Sequence, residues 1–295
     1  MPSVLKSNGP LLLASNHPNS FLDGIILTTL FDQPVFSLAR GDAFSHIRIG
    51  QFLRRLQLLP VYRTSEGIHN LGHNYSTFDA CQRTFENNGI VLIFSEGRCE
   101  NEWHLRPLKK GTARLAVTSW KRKIPLKVIP VGINYSSFHR FGKEVHINFG
   151  IPIDGSAILE RDSIPRQLLA FNDALSEQLQ QLVYEIDPED KNKVRSIFSI
   201  GLKKNIYLLL IPALIGWILH APVFYPCKLF SEWKFRNSGH YDSVLTSLLI
   251  LTYPFYVIII VFLFFFLLHL YSLFIIPLMI LTAISLVEVK YQADI

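Results

Sequence analysis

The stretch Ala14-Ser15-Asn16-His17-Pro18-Asn19-Ser20-Phe21-Leu22-Asp23-Gly24 sets a histidine and an aspartate near each other, directly after the apolar run Leu11–Ala14. An imidazole titrates near pH 6.5, and a neighbouring carboxylate raises it into a useful range for a general base. Asp23, early in a following helix, would hold one ring nitrogen of His17 and leave the other to accept a proton. No serine or cysteine stands in a recognisable nucleophile elbow, so that proton would come from the hydroxyl of a substrate. Taken alone, the stretch reads equally well as a polar capping loop with an incidental histidine.

A second stretch, Ile93-Phe94-Ser95-Glu96-Gly97-Arg98-Cys99, ends another apolar run. Gly97 allows close backbone approach to a ligand, and the guanidinium of Arg98 can fork onto phosphate oxygens. By itself Glu-Gly-Arg is a common surface turn. Arg63 closes the run Leu58–Arg63, and Arg106, Lys109 and Lys110 precede a helical stretch whose N-terminus can attract an anion. A metal-dependent hydrolase built from His17, Asp23, His69 and His73 is a further reading, since the last two lie one helical turn apart. Gly72 and the absence of a glutamate after His69 count against it and favour polar surface histidines.

The elements that must position these groups follow from hydrophobic pattern. Buried strands are predicted at Pro10–Ser15, Pro34–Ala39, Ile90–Ser95, Leu126–Ser136 and Glu144–Gly150. Helices are predicted at Phe21–Phe31, at His46–Leu58, at Ser76–Gly89 with Ser76 as N-cap and Gly89 as stop, and at Gly111–Trp120. In the second of these, Ile47, Ile49, Phe52, Leu53 and Leu56 fall near one side. Ser163–Ile186 reads as a long amphipathic helix with Leu168, Phe171, Leu175, Leu179, Leu182 and Ile186 in a stripe. Asp187–Lys193 reads as a charged hinge. Such alternation argues for an α/β domain with a mostly parallel sheet flanked by helices, over residues 1–200.

The remainder, 201–295, is expected to be a helical membrane region. Segments 244–268 and 270–287 are long enough, or nearly so, to cross a bilayer and read as a transmembrane hairpin broken at His269. Segment 206–227 carries Pro212, Pro222 and Pro226 and is flanked by basic residues at both ends, which suits an interfacial, re-entrant or spanning course. The net charge of +6 suits an anionic lipid surface. Nucleic acid is discounted, because no binding motif appears and the Lys and Arg residues are dispersed. Cys81, Cys99 and Cys227 form no C-x-x-C pair, which fits a reducing compartment. No secretory signal opens the chain, and the early arrival of the histidine loop leads to the expectation of a longer natural start.

In order, these blocks resemble the glycerol-3-phosphate and 1-acylglycerol-3-phosphate (lysophosphatidate) acyltransferase family. That family reads N-H-x-x-x-x-D, then a block ending in Arg, then F-P-E-G-T-R, then an apolar V-P block. Here stand Asn16-His17 with Asp23, Arg63, Phe94-Ser95-Glu96-Gly97-Arg98, and Ile129-Pro130-Val131. The match runs over about residues 9–155, with two departures: one extra residue between His17 and Asp23, and no Thr between Gly97 and Arg98. The resemblance implies that His17 and Asp23 are a catalytic dyad deprotonating a glycerol hydroxyl, which attacks an acyl thioester on acyl-CoA or acyl carrier protein. It implies substrate binding by Arg63, Glu96, Gly97 and Arg98 to the phosphate of the acceptor, no metal, and no cofactor beyond the donor. Product insolubility places the site at the cytoplasmic face of a membrane. Alternatives are acylation of a non-phosphorylated lyso-lipid, or an inactive membrane-anchored binding protein. Retention of both His17 and Asp23 speaks against the latter.

Overall fold

In the computed structural model, residues 9–62, 73–198, 206–236 and 238–293 are described, together with Leu5. Two compact units emerge: residues 1–134 with 146–185, and 135–145 with 186–295. The second unit therefore begins near residue 186, not 201, and also takes in the loop 135–145 from the first half of the chain.

The first unit is built on a six-stranded sheet in the order β3-β2-β4-β1-β5-β6, with β1 at Leu11–Ser15, β2 at Val35–Arg40, β3 at Leu58–Val61, β4 at Ile90–Phe94, β5 at Lys127–Tyr135 and β6 at Val145–Phe149. The pairs β1/β4, β1/β5, β2/β3 and β2/β4 are parallel. Continuous apolar runs such as Leu11-Leu12-Leu13-Ala14 and Ile90-Val91-Leu92-Ile93 become central strands buried on both faces, as parallel sheets require. Pro130 sits within β5 without breaking a ladder. Its carbonyl accepts from the Gly150 N–H at 2.9 Å, so its own nitrogen, which lacks a hydrogen, also points away from β1.

The crossovers are α1 (Phe21–Thr28), a 3-10 turn at Gly41–Phe44 leading to α2 (Ile47–Arg55), α3 (His73–Glu86) and α4 (Lys110–Lys121); a single turn α5 (Ser156–Leu159) and α6 (Ile164–Leu182) follow the last strand. One sheet face, with Leu12, Ala14, Val91, Ile93 and Val128, packs on Cys81 and Phe85 of α3, on Ala113, Ala116 and Trp120 of α4, and on Phe171, Leu175 and Leu179 of α6. The stripe predicted for α6 is buried at its centre, but Ile186 lies beyond the helix. Asn134 and Asn148 each donate to the Leu182 carbonyl at 2.9 Å, satisfying an end carbonyl that the helix leaves open. Ser76 is not an N-cap: α3 begins at His73 and runs past it. The residue with left-handed backbone at the end of α3 is Asn88, φ 56°, and Gly89 donates back to the Thr84 carbonyl at 2.8 Å.

In the second unit, the charged hinge is shorter than expected. Asp190 accepts from the Lys193 N–H at 2.9 Å and caps α7 (Lys191–Ile197). Three long helices follow: α8 (Ile206–Phe235), α9 (Tyr241–Leu268) and α10 (Ile275–Ala293), with a 3-10 segment His269–Phe274 between the last two. Each is long and apolar enough to cross a membrane. α8 continues through Pro212, Pro222 and Pro226 without reversing, so a re-entrant course is not the one its backbone takes. Its 30 residues span about 45 Å at 1.5 Å each. The chief partner of α10 is α8, not α9. Gly216 lets α8 close onto the Thr282 carbonyl of α10, and His220 joins all three helices through Tyr253 Oη at 2.9 Å and the Met279 carbonyl at 3.2 Å. Within the same unit, loop residue Lys143 forms a buried ion pair with Asp242.

Candidate active site

The loops that follow β1 and β4 leave adjacent parallel strands, Ser15 lying beside Phe94, so His17 and Glu96 emerge together at the C-terminal edge of the sheet. Five hydrogen bonds brace one loop against the other. Ser95 N–H donates to the Ser15 carbonyl at 2.8 Å, and Glu100 N–H to the His17 carbonyl at 3.2 Å. Asn101 Nδ2 donates to the Pro18 carbonyl at 2.7 Å, Ser20 N–H to Cys99 Sγ at 2.9 Å, and His17 N–H to Glu96 Oε2 at 2.7 Å. Asn16 holds the other side: its amide accepts from Ile133 N–H at 2.8 Å and donates to the Ile133 carbonyl at 3.0 Å, prolonging the β1/β5 pairing by one step.

Within that frame His17 Nδ1 lies 2.9 Å from Asp23 Oδ2. A carboxylate only accepts, so Nδ1 bears the proton and the lone pair lies on Nε2, which pairs with no described residue. The ring stacks on Phe94, centroids 3.8 Å apart and planes within 11°. Asp23 is fully buried in the first turn of α1, where the positive end of the helix favours a negative charge; Asn19 N–H also donates to Oδ2 at 2.8 Å. In the five-residue interval between histidine and aspartate, Ser20 has a backbone φ of 53°, and the carboxylate reaches the ring.

Glu96 lies between the two loops. Its Oε1 accepts from Arg106 N–H at 2.9 Å while Oε2 takes His17 N–H, so both oxygens face backbone and the side chain braces the site. Burial raises its pKa, against the lowering effect of the two N–H donors and of His17. Gly97 turns the chain at φ 74°, and a Cβ there would come within 2.9 Å of Lys109 Cγ. Arg98 is exposed and paired with Glu100 through Nε at 2.7 Å and through Nη2. An exposed pair of this kind is worth about 0.2–1 kcal/mol, a small barrier to exchange for an anionic ligand. Arg63 and His69 lie outside the described residues, and only the backbone of His73 is described. Among the described residues, no three of His, Cys, Asp and Glu gather as a metal site would need.

Cys99, beside Asp23, is the thiol nearest this loop pair, and burial together with the Asp23 charge pushes it up to about 12. It is a protonated, weak nucleophile at neutral pH. The groups that sequence pattern alone did not mark are the braces: Asn16, Phe94 as a stacking platform, Cys99 as an acceptor, and Asn101. The tripeptide Ser15-Asn16-His17 at a strand end carried the first of these signals, but no pattern foretells which backbone an amide side chain will meet.

A family model described as Acyltransferase matches residues 2–134. Over 93 residues, 30% of this chain, the sequence is 32% identical to "Glycerol-3-phosphate O-acyltransferase 1" of Saccharomyces cerevisiae, of which it spans 11%. Among solved structures, the 1-acyl-sn-glycerophosphate (LPA) acyltransferase PlsC from Thermotoga maritima aligns at a TM-score of 0.42 with 15% identity, over 68% of this chain and 70% of that one. The His17 and Gly97 loops both fall inside the residues that the Acyltransferase model matches, and the chain spans about a tenth of the length of the yeast relative.

Proposed function

We propose that the chain is a membrane-bound O-acyltransferase that moves a fatty acyl group from acyl-CoA or acyl carrier protein to a hydroxyl of glycerol-3-phosphate or of a lysophospholipid, in phospholipid biosynthesis. The observation that carries this reading is the 2.9 Å contact of His17 Nδ1 with buried Asp23, which leaves Nε2 as the base. Nε2 takes the proton of the acceptor hydroxyl as its oxygen attacks the thioester carbonyl. Asp23 stabilises the imidazolium that forms, the C–S bond of the tetrahedral intermediate breaks, and the leaving thiolate recovers the proton from Nε2. A base of this kind contributes about 10²–10⁴-fold. Arg98, released from Glu100, and Arg63 would bind the acceptor phosphate, with Gly97 admitting the ligand to the backbone. The three helices able to cross a membrane support a membrane-held enzyme, and its site is proposed to face the cytoplasm.

The pairing of Arg98 with Glu100 favours a second reading, in which the acceptor is a lyso-lipid without a phosphate and Arg98 keeps its partner. The test is release of free thiol from palmitoyl-CoA and palmitoyl-acyl carrier protein across glycerol-3-phosphate, lysophosphatidate, dihydroxyacetone phosphate and a non-phosphorylated lyso-lipid. Turnover with phosphorylated acceptors, with KM raised by Arg98→Ala, supports the first reading. Turnover with the non-phosphorylated acceptor alone supports the second, and release with no acceptor in the panel would overturn both.

A further inference from the structure

The periodicity of α2 predicts an amphipathic helix, and the fold leaves much of its apolar side exposed. Ile49, Phe52 and Leu56 are 50%, 59% and 53% exposed, while the helix turns Gly50 inward. At 100° per residue these three form one stripe, and Arg48 and Arg55 fall together along its edge. Arg48, Arg54 and Arg55 are all exposed, and no acidic residue occurs from Phe44 to Leu56. α2 follows β2, which is parallel to β4, so the helix leaves the sheet at the same edge as the His17 and Glu96 loops.

We propose that α2 lies in the plane of an anionic bilayer surface, with Ile49, Phe52 and Leu56 among the upper acyl chains and Arg48 and Arg55 at the headgroups. An apolar stripe edged by cations and free of acids is the composition of an interfacial helix. Charge selects this occupant over a second copy of the chain: two α2 helices placed face to face would bring arginine against arginine with no acid between them. The same chain carries three helices able to cross a membrane, so a lipid surface is within reach of this domain. The dock stands without the acyl-transfer reading. If that reading holds as well, α2 provides amphiphilic acceptors and products with a short route between the bilayer and the edge of the sheet where His17 sits.

The experiment uses the full chain with Phe52→Cys, labelled with an environment-sensitive fluorophore at neutral pH, in vesicles of phosphatidylcholine alone or mixed with phosphatidylglycerol. Cys81 and Cys227 are buried, and the Cys99 thiol is pushed up to about 12, so label goes to position 52. The expected result is blue-shifted emission that doxyl-chain lipid quenches, more strongly in anionic vesicles. Double replacement Arg48→Gln and Arg55→Gln removes that anionic preference, and high salt weakens it. The same label at Gln51→Cys, on the polar side, stays aqueous. Aqueous emission at position 52, equal quenching at positions 51 and 52, or a blue shift that doxyl lipid leaves untouched and that grows with protein concentration would each overturn the dock, the last in favour of a second copy. None of these readouts depends on activity.

Discussion

At the scale of single residues, the site owes its geometry to groups that never need to touch substrate. Glu96 holds the backbone N–H of His17 and of Arg106 on its two oxygens. Glutamine can accept only one of these bonds well, so Glu96→Gln should lower kcat by letting the His17 loop drift, with little change in KM for the acyl donor. A rise in acceptor KM at constant kcat would instead restore Glu96 as a binding group. Its raised pKa also has a sign in stability. The folded state holds the Glu96 proton more tightly than the unfolded chain, whose carboxyl titrates near pH 4.3. That contribution is full below the unfolded pKa and is lost as pH rises through the folded one. Wild type should therefore lose melting temperature relative to Glu96→Gln across that interval, and parallel melts check it. Cys99, with its thiol up to about 12, should alkylate slowly in folded protein at pH 7.5 and readily after denaturation; rapid alkylation of folded protein would contradict its burial beside Asp23.

At the scale of elements, much of the frame could be read from the amino acids. Leu11–Ala14 and Ile90–Ile93 are uninterrupted apolar runs followed by polar loops, and a parallel sheet is the architecture that buries both faces of such strands. Other features depend on tertiary contacts that periodicity does not encode. The α2 pattern reveals a stripe but not what it faces. Ser76 resembles a cap by type, yet α3 starts earlier. The positive φ of Ser20, in the loop before Asp23, has no signature in the serine itself. Prolines in α8 suggest an interruption, but each costs only local hydrogen bonds that neighbouring helices can offset, and the helix continues to Phe235. Close packing there is set at Gly216, where a side chain would meet the Thr282 carbonyl. Gly216→Leu should force α8 from α10 and destabilise the second unit by roughly 1–3 kcal/mol, as overpacking does; an unchanged melting temperature in detergent would show that the two helices do not close on each other.

For the molecule as a whole, a region that matches the Acyltransferase family model and three helices able to span a bilayer share one basic chain of net charge +6. The proposed function would give that combination a common reason: acyl chains and their esters stay in the bilayer, while a thioester donor arrives from water. The exposed stripe of α2 suits the same boundary. The proposed activity depends on whether His17 is the base. The most direct measurement is acceptor-dependent thiol release from palmitoyl-CoA, across the acceptor panel above, by wild type and His17→Ala reconstituted side by side in the same vesicles. The account predicts a rate lower by about 10² or more for the variant, with the melting temperature preserved. An equal rate in a folded His17→Ala protein would contradict it.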